Sequence, residues 1–108
     1  MVQQIGVREL EERRKAKHAL FLLDVRQPWE HETAALPGSV LIPLDELPSR
    51  ADEIEVPEGV TIVAYCHHGV RSLSAAAILE RAGFTDVVSL RGGIDAWSIH
   101  VDPSVPRY

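Results

Sequence analysis

The residues of this chain best equipped for chemistry lie in one short run, Cys66-His67-His68-Gly69-Val70-Arg71-Ser72. Before it comes Val60-Thr61-Ile62-Val63-Ala64-Tyr65, an almost unbroken apolar stretch rich in β-branched residues, which suits a strand covered on both faces. After it, Ser72 to Ala82 is made mostly of helix formers and stops at Gly83, a favoured residue just past a helix end. The only cysteine of the chain therefore stands where a buried strand hands over to a helix. A tight loop at a helix N-terminus turns several backbone N–H groups inward, and the aligned peptide dipoles add about half a positive charge there. Thiols in such settings drop from a pKa of about 8.5 to roughly 3.5–7.5. Arg71, five residues on, can bring a full positive charge to the same mouth. The expectation is a Cys66 thiolate, nucleophilic near neutral pH. The competing reading is a small buried hydrophobe; the abrupt strand-loop-helix context, Gly69 where a tight bend needs it, and Arg71 favour the reactive one.

The elements that must hold this loop follow from pattern. Gln3 to Ile5 is expected as an edge strand, and Val7 to Ala16 as a first helix with Val7 and Leu10 turned inward. Leu20-Phe21-Leu22-Leu23-Asp24-Val25 reads as a second buried strand, ending in Asp24 and Arg26. Pro28 can open a helix of about one turn, Leu36-Pro37-Gly38-Ser39 is a turn, and Val40-Leu41-Ile42 is a strand stopped by Pro43. Leu44 to Leu47 is expected as one or two helical turns, with Pro48, Pro57 and Gly59 bracketing the loop that leads to Val60. Asp86 to Leu90 is a fifth strand, Arg91-Gly92-Gly93 a turn, and Ile94 to Ile99 a last helix; the tail through Pro103 and Pro106 is expected to be irregular. Strands alternating with helices call for parallel βαβ units with right-handed crossovers. The fold class is thus α/β, a three-layer sandwich on a five-stranded parallel sheet. Its apolar strands deliver Asp24 and Arg26, Cys66, and Arg91 to one edge, the edge where open α/β sheets bind ligands.

Composition limits the alternatives. The chain has 108 residues, 45% hydrophobic and 25% charged, which predicts a single domain over residues 1–108 with its own core. One cysteine cannot form an internal disulfide, so nothing suggests a disulfide-stapled secreted scaffold. The net charge of -5 speaks against a nucleic-acid partner. No apolar run is long enough to span a bilayer, and Met1-Val2-Gln3-Gln4 lacks the features of a signal peptide. A reducing cytoplasm, where a lone thiol stays available, is the expected location. The run Arg13-Arg14-Lys15 follows Glu9, Glu11 and Glu12, the order a helix dipole favours on a solvated face.

Several motifs together resemble the rhodanese family, in its single-domain form: Asp24-Val25-Arg26 with Trp29-Glu30, Pro37-Gly38-Ser39, the run from Cys66 to Ser72, Ala82-Gly83-Phe84, and Leu90-Arg91-Gly92-Gly93-Ile94-Asp95-Ala96-Trp97. The similarity covers nearly the whole chain, and the cysteine loop joined with the Gly-Gly-(x)3-Trp ending is specific. The resemblance implies a five-stranded parallel sheet and a cysteine that carries sulfane sulfur as a persulfide. It also implies transfer from a small donor such as thiosulfate to cyanide, a thiol or a sulfur-carrier protein, without metal or organic cofactor. The tail Pro106-Arg107-Tyr108 is similar to rhodanese modules fused to adenylating enzymes. One departure is Ala34-Ala35-Leu36 where many relatives have Gly-His-Ile.

In that frame Cys66 is the nucleophile, and the N–H groups of His67, His68, Gly69, Val70 and Arg71 are expected to hold the persulfide anion. Arg71 either binds an anionic donor or serves as a structural ion-pair partner. His67 and His68 either add positive potential or stand as exposed loop residues whose own N–H groups matter. Asp24 is expected to give structural support, with hydrogen bonds to the loop as one form of it, Arg26 to pair with Glu30 or, as the lesser alternative, to face substrate, and Arg91 either to reach the pocket or to cap the sheet edge. Trp29 and Trp97 are expected as core or pocket wall. Two rivals remain. Phosphatases and arsenate reductases that use a cysteine loop ending in arginine place five residues between the two, where here there are four. A non-catalytic interaction module would normally lack the cysteine.

Overall fold

The computed structural model describes residues 2–108. Five strands, β1 (Gln3–Ile5), β2 (Leu20–Asp24), β3 (Val40–Leu41), β4 (Thr61–Tyr65) and β5 (Val87–Leu90), form one parallel sheet in the order β1-β5-β4-β2-β3. The helices are α1 (Val7–Lys15), α2 (Pro28–Thr33), α3 (Leu47–Arg50), α4 (Val70–Arg81) and α5 (Gly93–His100). Short 3-10 turns at Leu44–Glu46 and Ala51–Glu53 extend α3 on both sides. Pro48, expected in a loop, lies in the first turn of α3. A proline costs nothing there, since first-turn N–H groups have no partner within the helix.

Because side chains alternate along a strand, β4 feeds two cores. Ile62, Ala64 and Cys66 face Leu23, Val25, Leu47, Ala75, Ala76 and Leu79 on the side covered by α3 and α4. Val63 and Tyr65 face Leu10, Leu36, Leu90, Ile94 and Trp97 on the side covered by α1 and α5. Both faces of the sheet are thus covered, the three-layer arrangement that the apolar runs call for. The sheet also explains where the site must be. The chain leaves β2 for β3 on one flank, and leaves β4 for β5 on the other. That reversal opens a crevice at the carboxyl ends of β2 and β4. Among the described residues no helix is long and apolar enough to cross a membrane.

Candidate active site

Cys66 follows the last residue of β4 directly. Its loop closes at Gly69, which caps α4 with φ +100°, a conformation that favours glycine. A Cβ on Gly69 would also press to 3.0 Å from the Gly92 nitrogen. The helix starts at Val70, two residues earlier than its propensities suggested. The difference puts Ser72 inside the first turn, with its N–H free of a helical partner.

Cys66 is only 1% exposed, which alone would fit a packing residue. What distinguishes it is the aim of the sulfur. Sγ accepts hydrogen bonds from the Gly69 N–H at 3.1 Å and from the Ser72 N–H at 3.4 Å, both at the positive end of a twelve-residue helix. The Ser72 hydroxyl lies 3.6 Å from the sulfur and is bonded to Ser89 Oγ on β5 at 2.7 Å. Of the five N–H groups expected around the sulfur, that of Gly69 therefore donates, and Ser72 supplies a second donor from one residue beyond the expected run.

A second helix end holds the loop from behind. The carbonyls of Cys66 and His67 accept the N–H groups of Ile94 and Asp95, in the first turn of α5, at 2.9 and 3.1 Å. Gly93, with φ +61°, lies so close that a Cβ there would overlap both carbonyl oxygens. The Gly-Gly pair thus lets two helix N-termini meet across one loop. For His67 the carbonyl carries this contact; its ring stacks on Tyr108 (centroids 4.0 Å apart, 10° between planes) and on His68. Burial, then the neighbouring His68, push the His67 pKa below its ordinary value.

Arg71 grips Glu30 with two nitrogens: Nη1 and Nη2 donate to Oε1 and Oε2 at 2.6 and 2.9 Å. The same carboxylate accepts the Gln27 N–H at 3.0 Å and the Tyr108 hydroxyl at 2.7 Å. The Arg71 hydrogen bonds above all hold the Glu30 carboxyl down at about 2. Burial raises the Tyr108 phenol to about 12. The expected pairing of Arg26 with Glu30 is not formed. Residues two apart at a strand end point the same way, and the Arg26 guanidinium folds back onto Asp24, with bonds of 2.8 and 2.6 Å. It also donates to Ala34 O and Tyr108 Oη. Glu30 closes the capping box of α2 with Gln27 and meets Arg26 only through the Tyr108 hydroxyl between them.

Asp24 gives structural support, at the strand ends. Its carboxylate is spent on Arg26, on the Tyr65 hydroxyl at 3.2 Å and on His31 at 2.8 Å. It braces the ends of β2 and β4 and has no direct bond to the cysteine loop. Arg91 caps the sheet edge: its N–H bonds Ile5 O at 2.8 Å, and its guanidinium lies beside Gly6. Trp97 is core, while Trp29 is 59% exposed and meets the Tyr108 ring edge-on. The tail has no regular structure, as expected, yet it closes the site through buried Val105 and the Arg107–Asp95 pair at 2.9 Å. Tyr108, Ser72, Ser89 and His31 carry contacts here that spacing gave no reason to single out.

His67, His68 and Asp95 each present one potential metal-ligand atom within 4.8 Å of the others. The two imidazoles are stacked, and the Asp95 carboxylate is shared between Arg107 on Oδ1 and His68 beside Oδ2.

A five-stranded parallel sheet with a helix-capped cysteine loop is the arrangement the motifs implied, and the sequence model described as "Rhodanese-like domain" matches residues 6–100. The chain belongs to the rhodanese-like domain family. One curated relative, a sulfurtransferase of Allochromatium vinosum, is 36% identical over 97% of this chain and 96% of its own length. Another, the probable adenylyltransferase/sulfurtransferase MoeZ of Mycobacterium tuberculosis, is 39% identical over 96% of this chain. The chain spans about a quarter of that protein, 26% of its length. Among solved structures, a rhodanese-related protein from Thermoplasma volcanium superposes with a TM-score of 0.82 at 30% identity, covering 98% of this chain and 99% of that one. For a rhodanese-like chain, the Cys66 loop is the part of the sheet edge to question about chemistry.

Proposed function

We propose that this chain, as a single domain, is a sulfurtransferase that moves a sulfane sulfur atom through a persulfide on Cys66. The donor is thiosulfate or another sulfane-sulfur compound, and the acceptor is cyanide, a thiol or a sulfur-carrier protein. In the first half, the Cys66 thiolate attacks the outer sulfur of the donor. The donor S–S bond breaks, its electron pair departs with the leaving group (sulfite from thiosulfate), and Cys66 keeps the extra sulfur. In the second half an acceptor nucleophile attacks that outer sulfur and releases the thiolate. Both halves are displacements at sulfur and need no external oxidant or reductant. A covalent intermediate of this kind gives double-displacement kinetics.

The observation that carries the reading is the aim of Sγ at the Gly69 and Ser72 N–H groups. Donors fixed in place before reaction stabilise the anionic sulfur without reorganising, and each is worth about 3 kcal/mol when charge develops on it. The ring is small, which suits one sulfur atom better than a tetrahedral oxyanion. The arginine that a phosphatase would aim at such an oxyanion is bound to Glu30 on both nitrogens. The sulfurtransferase names of curated relatives support the transfer, and the adenylyltransferase half of one name supports a sulfur-carrier acceptor. The test follows thiocyanate from thiosulfate and cyanide, beside Cys66→Ser, with intact-mass spectra after donor alone. Turnover that depends on Cys66 and a gain of one sulfur atom are expected. A protein that never gains sulfur from any donor refutes the proposal.

A further inference from the structure

A dianionic donor needs uncompensated positive charge at the mouth, and each cation there already has its anion. Arg26 is enclosed with Asp24, and Arg107 lies on Asp95. Arg71, whose pKa is raised above all by its hydrogen bonds to Glu30 and to a lesser degree by the Cys66 charge, has Nη1 and Nη2 on that carboxylate. Burial keeps His67 toward its neutral form. Glu30 cannot easily be displaced: two Arg71 nitrogens, the Gln27 N–H and the Tyr108 hydroxyl hold it, and its side chain is almost fully covered. A charge-assisted bidentate pair with further donors on the same carboxylate is among the stronger polar contacts. Exposed Gln27 and His68 lie near this pair, and two exposed apolar residues adjoin it in the chain. Trp29 lies beside Glu30, and Val70, 74% exposed, precedes Arg71.

We infer that Glu30 is a specificity-determining residue: it withholds Arg71 from dianionic donors and selects thiol persulfides, R–S–SH, whose organic part packs on Trp29 and Val70. The inference rests on the Cys66 persulfide reading. The step balances without a co-reactant: Cys66–S⁻ attacks the terminal sulfur, the S–S bond of the donor breaks, R–S⁻ leaves with the electron pair, and Cys66 becomes Cys66–S–SH.

The test measures the second-order rate constant for sulfur uptake by Cys66, from rapid-quench intact mass, with cysteine persulfide and with thiosulfate as donors and Cys66→Ser as blank. In the unsubstituted protein cysteine persulfide is expected to load at least about tenfold faster than thiosulfate. Glu30→Gln keeps the shape and removes the charge. It should raise the thiosulfate rate roughly ten- to a hundredfold, the range of a hydrogen bond to an ion, and change the persulfide rate by less than about threefold. The gain should vanish in the Glu30→Gln/Arg71→Met double variant. Equal loading of the unsubstituted protein by the two donors overturns the inference, and that readout does not depend on any variant folding. A folded Glu30→Gln with an unchanged donor ratio overturns it too. If neither donor loads Cys66, the persulfide reading falls with it.

Discussion

The closest packing around the site is at Gly93, and Gly93→Ala is the perturbation whose effect the structure allows to be worked out. Two costs add. A non-glycine residue at φ +61° takes on a left-handed conformation at about 1–2 kcal/mol. The new Cβ would also overlap the carbonyl oxygens of Cys66 and His67. Those atoms are backbone, held by the Ile94 and Asp95 N–H groups, and cannot turn away as a flexible side chain would. Forcing such a shift costs about 1–3 kcal/mol, so the total is about 2–5 kcal/mol. At about 4 °C per kcal/mol for a domain of this size, the melting temperature should fall by roughly 8–20 °C. Gly38→Ala is the control. It has φ +81° and nothing within 4 Å of the added Cβ, so only the conformational cost applies. Calorimetry on both variants separates the two contributions. The shift at Gly93 should also move Cys66 off the Gly69 and Ser72 N–H groups, and sulfur uptake by the folded variant should drop about tenfold or more. A Gly93→Ala protein that melts no lower than Gly38→Ala and takes up sulfur at the original rate would refute the account of two helix ends meeting across the loop.

Other outcomes follow from the same contacts. The folded Glu30 pKa of about 2 lies below its ordinary 4.5, so its stabilisation is present above pH 4.5 and is lost as pH falls from there toward 2. The full value is about 3 kcal/mol, and the half-open Arg71 side reduces it to roughly 2; somewhat more than half of it is gone by pH 3, so the unfolding free energies from urea at pH 7 and pH 3 should differ less in Glu30→Gln by about 1 kcal/mol. Asp24→Ala leaves the buried Arg26 guanidinium without its counter-ion and should cost about 3–5 kcal/mol in urea unfolding, whereas Glu53→Ala, at an exposed pair, should leave the urea midpoint nearly where it was. Tyr108→Phe keeps the stack on His67 and loses the hydroxyl bonds to Glu30 and Arg26, for about 1–2 kcal/mol. Tyr108→Ala also uncovers the loop and should speed iodoacetamide labelling of Cys66, while Tyr108→Phe labels at the original rate.

Local pattern carried the strands and the place of Cys66 at a helix N-terminus because both depend on neighbours in the chain. The β-branched run Thr61–Tyr65 had to be a buried strand, the helix formers after it had to be a helix, and a cysteine between them had to meet a helix N-terminus. The same holds for the edge that collects Asp24, Cys66 and Arg91, since parallel strands all end on one side. The pairing of charges was not legible. Arg26 and Glu30 looked like partners across one turn, but Arg26 chose Asp24, and Glu30 reached Arg71, 41 residues away, and Tyr108, 78 residues away. The use of the His67 carbonyl and the N–H of Ser72 was hidden for a similar reason, because it depends on where α5 and α4 begin in space. Hydrophobic period and helix propensity are written every few residues, so the order of residues alone decides where a cysteine meets a helix N-terminus. A side-chain ion pair depends on the end points of long, flexible groups, and only the packed chain decides which of many possible partners lies within about 3 Å, and hence what charge the thiol's mouth presents.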